Sequence, residues 1–135
     1  MSLRYLADTN VLVDLLRHRE HLDRRRFADA AGRVAVSVVT VMELEYGTVR
    51  STNPVQNRAE VEALLSLFAI LDLTRGAAEH AGQVRAAGAA AGTPIGPYDS
   101  LLAGQARSLG LTLVTNNLRE FSRVPGLLVE DWTVY

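Results

Sequence analysis

Residues 3–16 read LRYLADTNVLVDLL, and this stretch decides the fold. The run that ends at residue 7 is short and apolar, which is typical of a buried strand. From residue 9 onward the apolar residues recur at helical spacing, as Val11, Leu12 and Leu15 show. A helix over residues 9–19 is therefore predicted to follow the strand directly, with Asp8 at the junction. A strand that passes straight into a helix is the repeating unit of a parallel α/β sheet.

The rest of the chain continues this alternation of strands and helices. Further strands are predicted over residues 33–39, 69–73, 111–115 and 127–129. Further helices are predicted over residues 22–31, 55–68, 75–91 and 98–109, and a loop or short helix over residues 116–121. Another helix is expected to begin at Thr40, with Glu43 completing a capping box. The pattern indicates an α/β fold in which helices cover both faces of a parallel sheet, formed by a single domain over residues 1–135.

Composition excludes several classes of protein. The chain has 135 residues, no cysteine and a formal net charge of −1. The missing cysteines exclude a disulfide framework and a cysteine-based zinc site. No apolar run approaches the roughly 20 residues that span a bilayer, and the first ten residues lack the apolar region of a signal peptide. We therefore expect a cytoplasmic protein with no membrane segment. The net charge argues against a broadly basic nucleic-acid-coating protein, but it fits an enzyme whose acidic pocket and basic rim cancel.

All fourteen basic residues are arginines. Arginine suits phosphate recognition because its planar guanidinium can bond two oxygens at once, although a GC-rich genome is the commoner cause of missing lysines. Arg17 and the run Arg24-Arg25-Arg26 form either a basic rim for RNA or a contact for an acidic partner, or else an ordinary solvated helix face. These interpretations stay open from the sequence alone.

Four oxygen-bearing side chains lie just beyond a predicted strand or at the start of a predicted helix. They are Asp8, Glu43, Asp99 and Asn117. Because functional groups gather at the carboxyl ends of parallel strands, we expect one cleft to hold all four. Carboxylates brought this close repel one another, and a hard cation such as Mg²⁺ or Mn²⁺ would neutralise them. The pattern therefore indicates metal-assisted phosphoryl transfer.

Each of these acids also has a purely structural interpretation. Asp8 fits a helix N-cap, Glu43 the acidic half of a capping box, and Asp99 a charge that complements a helix dipole. Glu45 is the rival to Glu43. Residues two apart on a helix point to nearly opposite sides, so only one of the two can face the cleft, and Glu43 lies nearer the helix start.

Four ordered motifs resemble those of PIN-domain nucleases. They are LADTN at residues 6–10, VMELEYG at 41–47, PYD at 97–99 and VTNNLREF at 114–121. The similarity extends over essentially the whole chain, and within PIN domains the chain most resembles VapC-type toxins of bacterial toxin–antitoxin pairs. The resemblance implies a three-layer α/β/α sandwich with a mostly parallel central sheet. It also implies Mg²⁺- or Mn²⁺-dependent endoribonuclease activity.

The resemblance assigns roles to individual residues. Asp8, Glu43 and Asp99 are expected to be catalytic and to bind the metal, and Asn117 to be a further catalytic residue. Many PIN nucleases have aspartate where this chain has Asn117, which leaves three acids and favours one tightly bound metal over two. Asn10 and Thr115 are expected to support the pocket by hydrogen bonds, although a turn or cap role fits both.

Partners also follow from the resemblance. The substrate is expected to be RNA, and tRNA in particular, since the ending TNN-x-REF is similar to members that cut the anticodon loop of initiator tRNA. A cognate VapB-type antitoxin that inserts a peptide arm into the acidic cleft is expected, as is a homodimer.

Other functions remain to be distinguished. A phosphohydrolase with Asp8 as covalent nucleophile usually carries a second acid two residues later, where this chain has Asn10. Such an enzyme, like a phospho-receiver domain, also calls for a lysine, and the chain has none. The rival from another class is a catalytically impaired PIN-fold module that binds RNA or an antitoxin. Asn117 favours it and the three acids oppose it.

Overall fold

The fold is organised around a sheet whose strands are all parallel. A computed structural model describes residues 2–134. Within these residues the strands are β1 (Tyr5–Ala7), β2 (Val34–Ser37), β3 (Ala69–Leu71), β4 (Thr112–Val114) and β5 (Val129–Glu130). They pair in the order β3-β2-β1-β4-β5. The first strand in the sequence is therefore the central strand of the sheet.

Helices connect the strands and cover the sheet. They are α1 (Thr9–Leu16), α2 (Arg24–Asp29), α3 (Val38–Arg50), α4 (Pro54–Leu65), α5 (Arg75–Ala90), α6 (Pro97–Leu109) and α7 (Leu118–Phe121), with a short 3₁₀ turn at Ala31–Arg33. No helix among residues 2–134 is long and apolar enough to cross a membrane.

Each face of the sheet has its own apolar core, because successive residues of a strand point to opposite sides. Ala7 and Val114 pack into a cluster with residues of α1 to α4. Their neighbours Leu6 and Leu113 pack on the other face, with residues of α5, α6 and α7. The predicted three-layer α/β/α sandwich is therefore confirmed.

The order of the strands creates a crevice at one edge of the sheet. From β1 the chain adds β2 and then β3 on one side, and it crosses back to place β4 and β5 on the other. The connections leaving β1 and β4 consequently diverge at their carboxyl ends. In open parallel sheets this reversal point is where ligands bind.

The predicted start of α3 is wrong. The helix begins at Val38, and the Ser37 hydroxyl caps it by accepting a hydrogen bond from the Val39 amide at 3.1 Å. Val38 and Val39 are β-branched and favour a strand by propensity, but both are helical here. The helix places Val39 in the buried core. Glu43 therefore lies in the second turn and forms no capping box.

Other predicted boundaries shift by a few residues. The helix predicted to reach residue 19 ends at Leu16, two residues before His18 adopts a left-handed φ of 53°. The second helix begins at Arg24, where the Asp23 side chain accepts a hydrogen bond from the Arg26 amide. The last strand comprises Val129–Glu130, the residues that pair with β4.

Candidate active site

Asp8 is held rigidly at the reversal point of the sheet. Its amide donates to the Val114 carbonyl at 2.8 Å, which extends the pairing of β1 with β4. The Thr115 hydroxyl donates to Asp8 Oδ2 at 2.8 Å, and only 3% of Asp8 is exposed. Burial raises the pKa of the Asp8 carboxyl, and the Thr115 hydrogen bond offsets part of that shift. Asp8 occupies the N-cap position of α1, yet its side chain forms no capping hydrogen bond.

Glu43 is oriented by a pair of threonines. The Thr9 hydroxyl donates to Glu43 Oε1 at 2.8 Å and lies 2.8 Å from the Thr40 hydroxyl. The rival acid, Glu45, instead forms an ion pair with Arg58 on α4. Thr9 immediately follows Asp8, so one short segment of chain fixes two of the candidate acids. The sequence analysis did not single out Thr9 or Thr40 for this role.

Asp99 has the most perturbed ionisation in the cleft. It lies in the first turn of α6 and is partly buried. The pKa of Asp99 is raised to about 7, mainly by burial and in addition by the charges of Asp8, Glu120 and Glu43. The four carboxyls therefore sense one another across one cleft. At neutral pH the metal-free site holds Asp99 about half protonated.

Glu120 is a fourth acid that the sequence analysis missed. Its carboxyl accepts a hydrogen bond from Asn117 Nδ2 at 2.8 Å and lies close enough to Asp99 to raise the pKa of that carboxyl. Asn117 is exposed, and its backbone amide donates to the Thr115 hydroxyl. Glu120 is therefore a further acid beside the three that the sequence analysis counted. No periodic pattern in the sequence indicated this position, because Glu120 lies on a helix of only four residues.

The two expected supporting residues differ in their surroundings. Thr115 is fully buried and bonds both Asp8 and the Asn117 amide. Asn10 is exposed, and its side chain takes part in none of the side-chain hydrogen bonds found among residues 2–134. A supporting role for Asn10 stays a prediction.

The donor set fits a hard divalent cation. None of the ion pairs found among residues 2–134 includes any of the four carboxylates, and after burial their mutual charges contribute to the raised pKa of Asp99. Within residues 2–134 the acids do not close into a ready-made group of three metal ligands. Mg²⁺ does not require a group of three protein ligands, because it takes one or two carboxylates directly and keeps several waters.

Comparison with known proteins identifies the family. A model of the PIN domain matches residues 5–127. The chain belongs to the PIN domain family. Asp8, Glu43, Asp99 and Glu120 all lie within the matched range, so this PIN domain has four acids in its cleft.

Relatives of this PIN domain extend over nearly its whole length. The tRNA(fMet)-specific endonuclease VapC of Salmonella typhimurium is 45% identical over 130 residues, which is 96% of this chain and 98% of the relative. A DNA-bound VapBC structure from the same organism matches with a TM-score of 0.92, covering 96% of this chain and 98% of the solved one. A DNA-bound VapBC2 structure from Rickettsia felis matches at 32% identity with a TM-score of 0.88, covering 98% and 99%.

Proposed function

We propose that this PIN domain is a divalent-metal-dependent endoribonuclease that acts as the toxin of a toxin–antitoxin pair. The observation that carries the proposal is the cluster of four carboxyls at the reversal point of the sheet, where burial first and the neighbouring charges second raise the pKa of Asp99 to about 7. Relatives of nearly the same length are named as endonucleases specific for initiator tRNA or as ribonucleases.

Mg²⁺ or Mn²⁺ is the cofactor that we propose for this cleft. Asp8, Glu43, Asp99 and Glu120 would hold it, and when bound it supplies an activated water and stabilises charge on a phosphodiester. The protein keeps the acids in place before substrate arrives. Thr115 fixes Asp8 and Thr9 fixes Glu43, so neither carboxylate has to be ordered during the reaction.

We further propose tRNA, and initiator tRNA in particular, as the substrate. The relatives at 45% and 44% identity carry that specificity in their names. The solved relatives are VapBC complexes, which supports a VapB-type antitoxin as the partner of this chain. A homodimer remains an expectation from the resemblance, and light scattering of the purified protein tests it.

A catalytically impaired binding module was the main alternative. Its support was Asn117 at a position where many PIN nucleases have aspartate. Glu120 supplies a carboxylate beside Asn117, so the cleft does not lack the fourth charge.

Incubation with total tRNA tests the proposal. We expect discrete fragments with Mg²⁺ or Mn²⁺ and none in EDTA, and end mapping of the fragments identifies the bond that is cut. Asp8→Asn should abolish cleavage while the far-UV spectrum stays unchanged, because the substitution removes charge but keeps the shape of the side chain. Cleavage by Asp8→Asn at a rate near that of the wild type would show that the acidic cleft is not the active site.

A further inference from the structure

Two open clefts flank the acidic centre, and each is lined by at least one of its acids. The first, of about 560 Å³, lies between the start of α6 and α7, and its lining includes Asp99, Glu120 and Asn117. The second, of about 580 Å³, lies among α1, α3 and α4, and its lining includes Glu43. The first belongs to helices on one face of the sheet and the second to helices on the other. The carboxylates at the carboxyl edge of the sheet therefore lie between the two clefts.

Each cleft carries two exposed arginines. Arg119 and Arg123 line the first cleft, and Arg17 and Arg50 line the second. No ion pair found between side chains of residues 2–134 includes any of these four. Arg50 donates to the Tyr46 hydroxyl at 2.6 Å, a neutral partner that leaves its charge uncompensated.

The other candidate arginines are engaged in structural contacts. Arg24 donates to the Leu15 carbonyl at 2.7 Å. Arg26 pairs with Glu130 at 2.6 Å and lies over the ring of Trp132. The run Arg24-Arg25-Arg26, which the sequence offered as a basic rim, therefore has two of its three members bonded within the fold. Arg25 is exposed and lines neither cleft.

An acidic centre poses an electrostatic problem for a polyanionic substrate. A bound cation offsets the repulsion at the scissile phosphate, but the phosphates on either side approach the same carboxylates. Charges separated by less than the Debye length of roughly 8–10 Å are not fully screened at physiological salt. Arginines beside the acids would compensate this repulsion. A guanidinium can also donate two parallel hydrogen bonds to one phosphate.

We propose that an RNA strand runs through both clefts and over the acidic centre. Arg119 and Arg123 hold phosphates on one side of the cut, and Arg17 and Arg50 hold phosphates on the other. The strand is single-stranded or looped at this point, because Asp8 is only 3% exposed and the backbone has to descend into the crevice to reach it. This inference rests on the proposed ribonuclease function and adds the path of its substrate.

The salt dependence of RNA binding tests this path. We would compare Arg119→Gln/Arg123→Gln and Arg17→Gln/Arg50→Gln with the wild type, using labelled tRNA in cleavage and binding assays. Each lost contact to a single strand should reduce the slope of log affinity against log salt by about 0.7, so each pair should reduce it by roughly 1.4. We expect KM to rise with little change in kcat, because these residues bind flanking phosphates and not the reacting one.

The matched control removes the same amount of charge elsewhere. Arg25→Gln/Arg85→Gln changes two exposed arginines that line neither cleft, and its salt slope and KM should equal those of the wild type. Arg119→Lys/Arg123→Lys keeps the charge and should retain the slope. Thermal unfolding of all variants checks that each remains folded, as expected for exposed side chains.

The outcomes separate this inference from the function on which it rests. A wild type that neither binds nor cuts RNA overturns both. A wild type that cuts RNA, with either arginine pair behaving like the control, overturns the path alone. Unchanged RNA binding together with weakened antitoxin binding would assign the arginines to the protein partner and would likewise overturn the path.

Discussion

The ionisation of Asp99 gives a prediction at the scale of a single residue. Its pKa is raised from 3.8 to about 7, first by burial and then by the neighbouring carboxylates. Between about pH 4 and pH 7 the folded protein binds a proton at Asp99 that the unfolded chain does not, so stability falls as pH rises through this window. We expect the midpoint of thermal unfolding in EDTA to be higher at pH 5 than at pH 8.

The variant Asp99→Asn isolates this effect. It should unfold at a higher temperature than the wild type at pH 8, with a weaker dependence on pH, because it removes one of the repelling charges. Calorimetry at several pH values in EDTA measures both quantities. If both proteins showed the same pH dependence of stability, the raised pKa of Asp99 would not be its cause.

Glu120 gives a second prediction at this scale. Glu120→Gln should lower metal-dependent cleavage by roughly 10–100-fold, the usual effect of losing a group that binds or orients a metal. Asn117→Ala should have a smaller effect, because the contact of residue 117 with Thr115 comes from its backbone amide. Cleavage rates at several Mg²⁺ concentrations measure the difference. If Asn117→Ala were the more damaging variant, the role that we give to Glu120 would be wrong.

The positions of Asp8 and Thr115 in the cleft could be predicted from the sequence, whereas the position of Glu120 could not. Asp8 and Thr115 follow apolar runs whose strand character is clear from the sequence, so their meeting at one edge of the sheet follows from parallel topology. Glu120 lies on α7, which has four residues. So short a helix leaves no periodic pattern that would indicate which side chain faces the cleft.

At the scale of elements, the packing of α5 against α6 depends on Gly104. A Cβ at this position would lie 2.4 Å from the backbone nitrogen of Ala81. Gly104→Ala should therefore force the helices apart and destabilise the protein by about 1–3 kcal/mol or more. Since Asp99 begins α6, cleavage should fall as well. Urea unfolding and the tRNA assay measure the two effects.

Gly82 provides the matched control for this substitution. It is exposed on α5, next in sequence to Ala81, and a Cβ there would meet nothing within 4 Å. Gly82→Ala should stabilise the helix by roughly 0.5–1 kcal/mol, because alanine loses less backbone entropy on folding. A loss of stability in Gly82→Ala equal to that of Gly104→Ala would show that close packing is not the cause.

The start of α3 shows where element prediction failed. Val38 and Val39 continue a run of β-branched residues, which favours a strand by propensity alone. The Ser37 hydroxyl caps the helix two residues before the predicted strand ends, and Val39 then packs into the core. Tertiary packing outweighed the strand propensity of these valines. Because the helix begins at Val38, Glu43 lies in its second turn and faces the cleft instead of capping the helix.

At the scale of the whole molecule, metal binding should stabilise the fold. A ligand that binds only the folded state at one hundred times its dissociation constant adds roughly 2.7 kcal/mol, or roughly 10 °C in melting temperature for a chain of this size. We expect this increment with Mg²⁺ or Mn²⁺ at pH 8, and a smaller one at pH 6, where Asp99 holds a proton that the metal has to displace. The double variant Asp8→Asn/Asp99→Asn should show little of this metal-dependent increase in melting temperature. An equal increment in that double variant would place the cation elsewhere.

The central position of β1 has a consequence for how this protein is made. β1 is the first strand to leave the ribosome, but it cannot pair with β4 until nearly the whole chain has been made. The hydrogen bond from Thr115 to Asp8 likewise joins residues 107 positions apart. Until residues 112–120 have been synthesised, a nascent chain has three of its four cleft acids but lacks Glu120 and the Thr115 hydroxyl that bonds Asp8. Under the proposed function, activity therefore begins only in chains in which this last portion has been made, and these are the chains that the proposed antitoxin would have to bind.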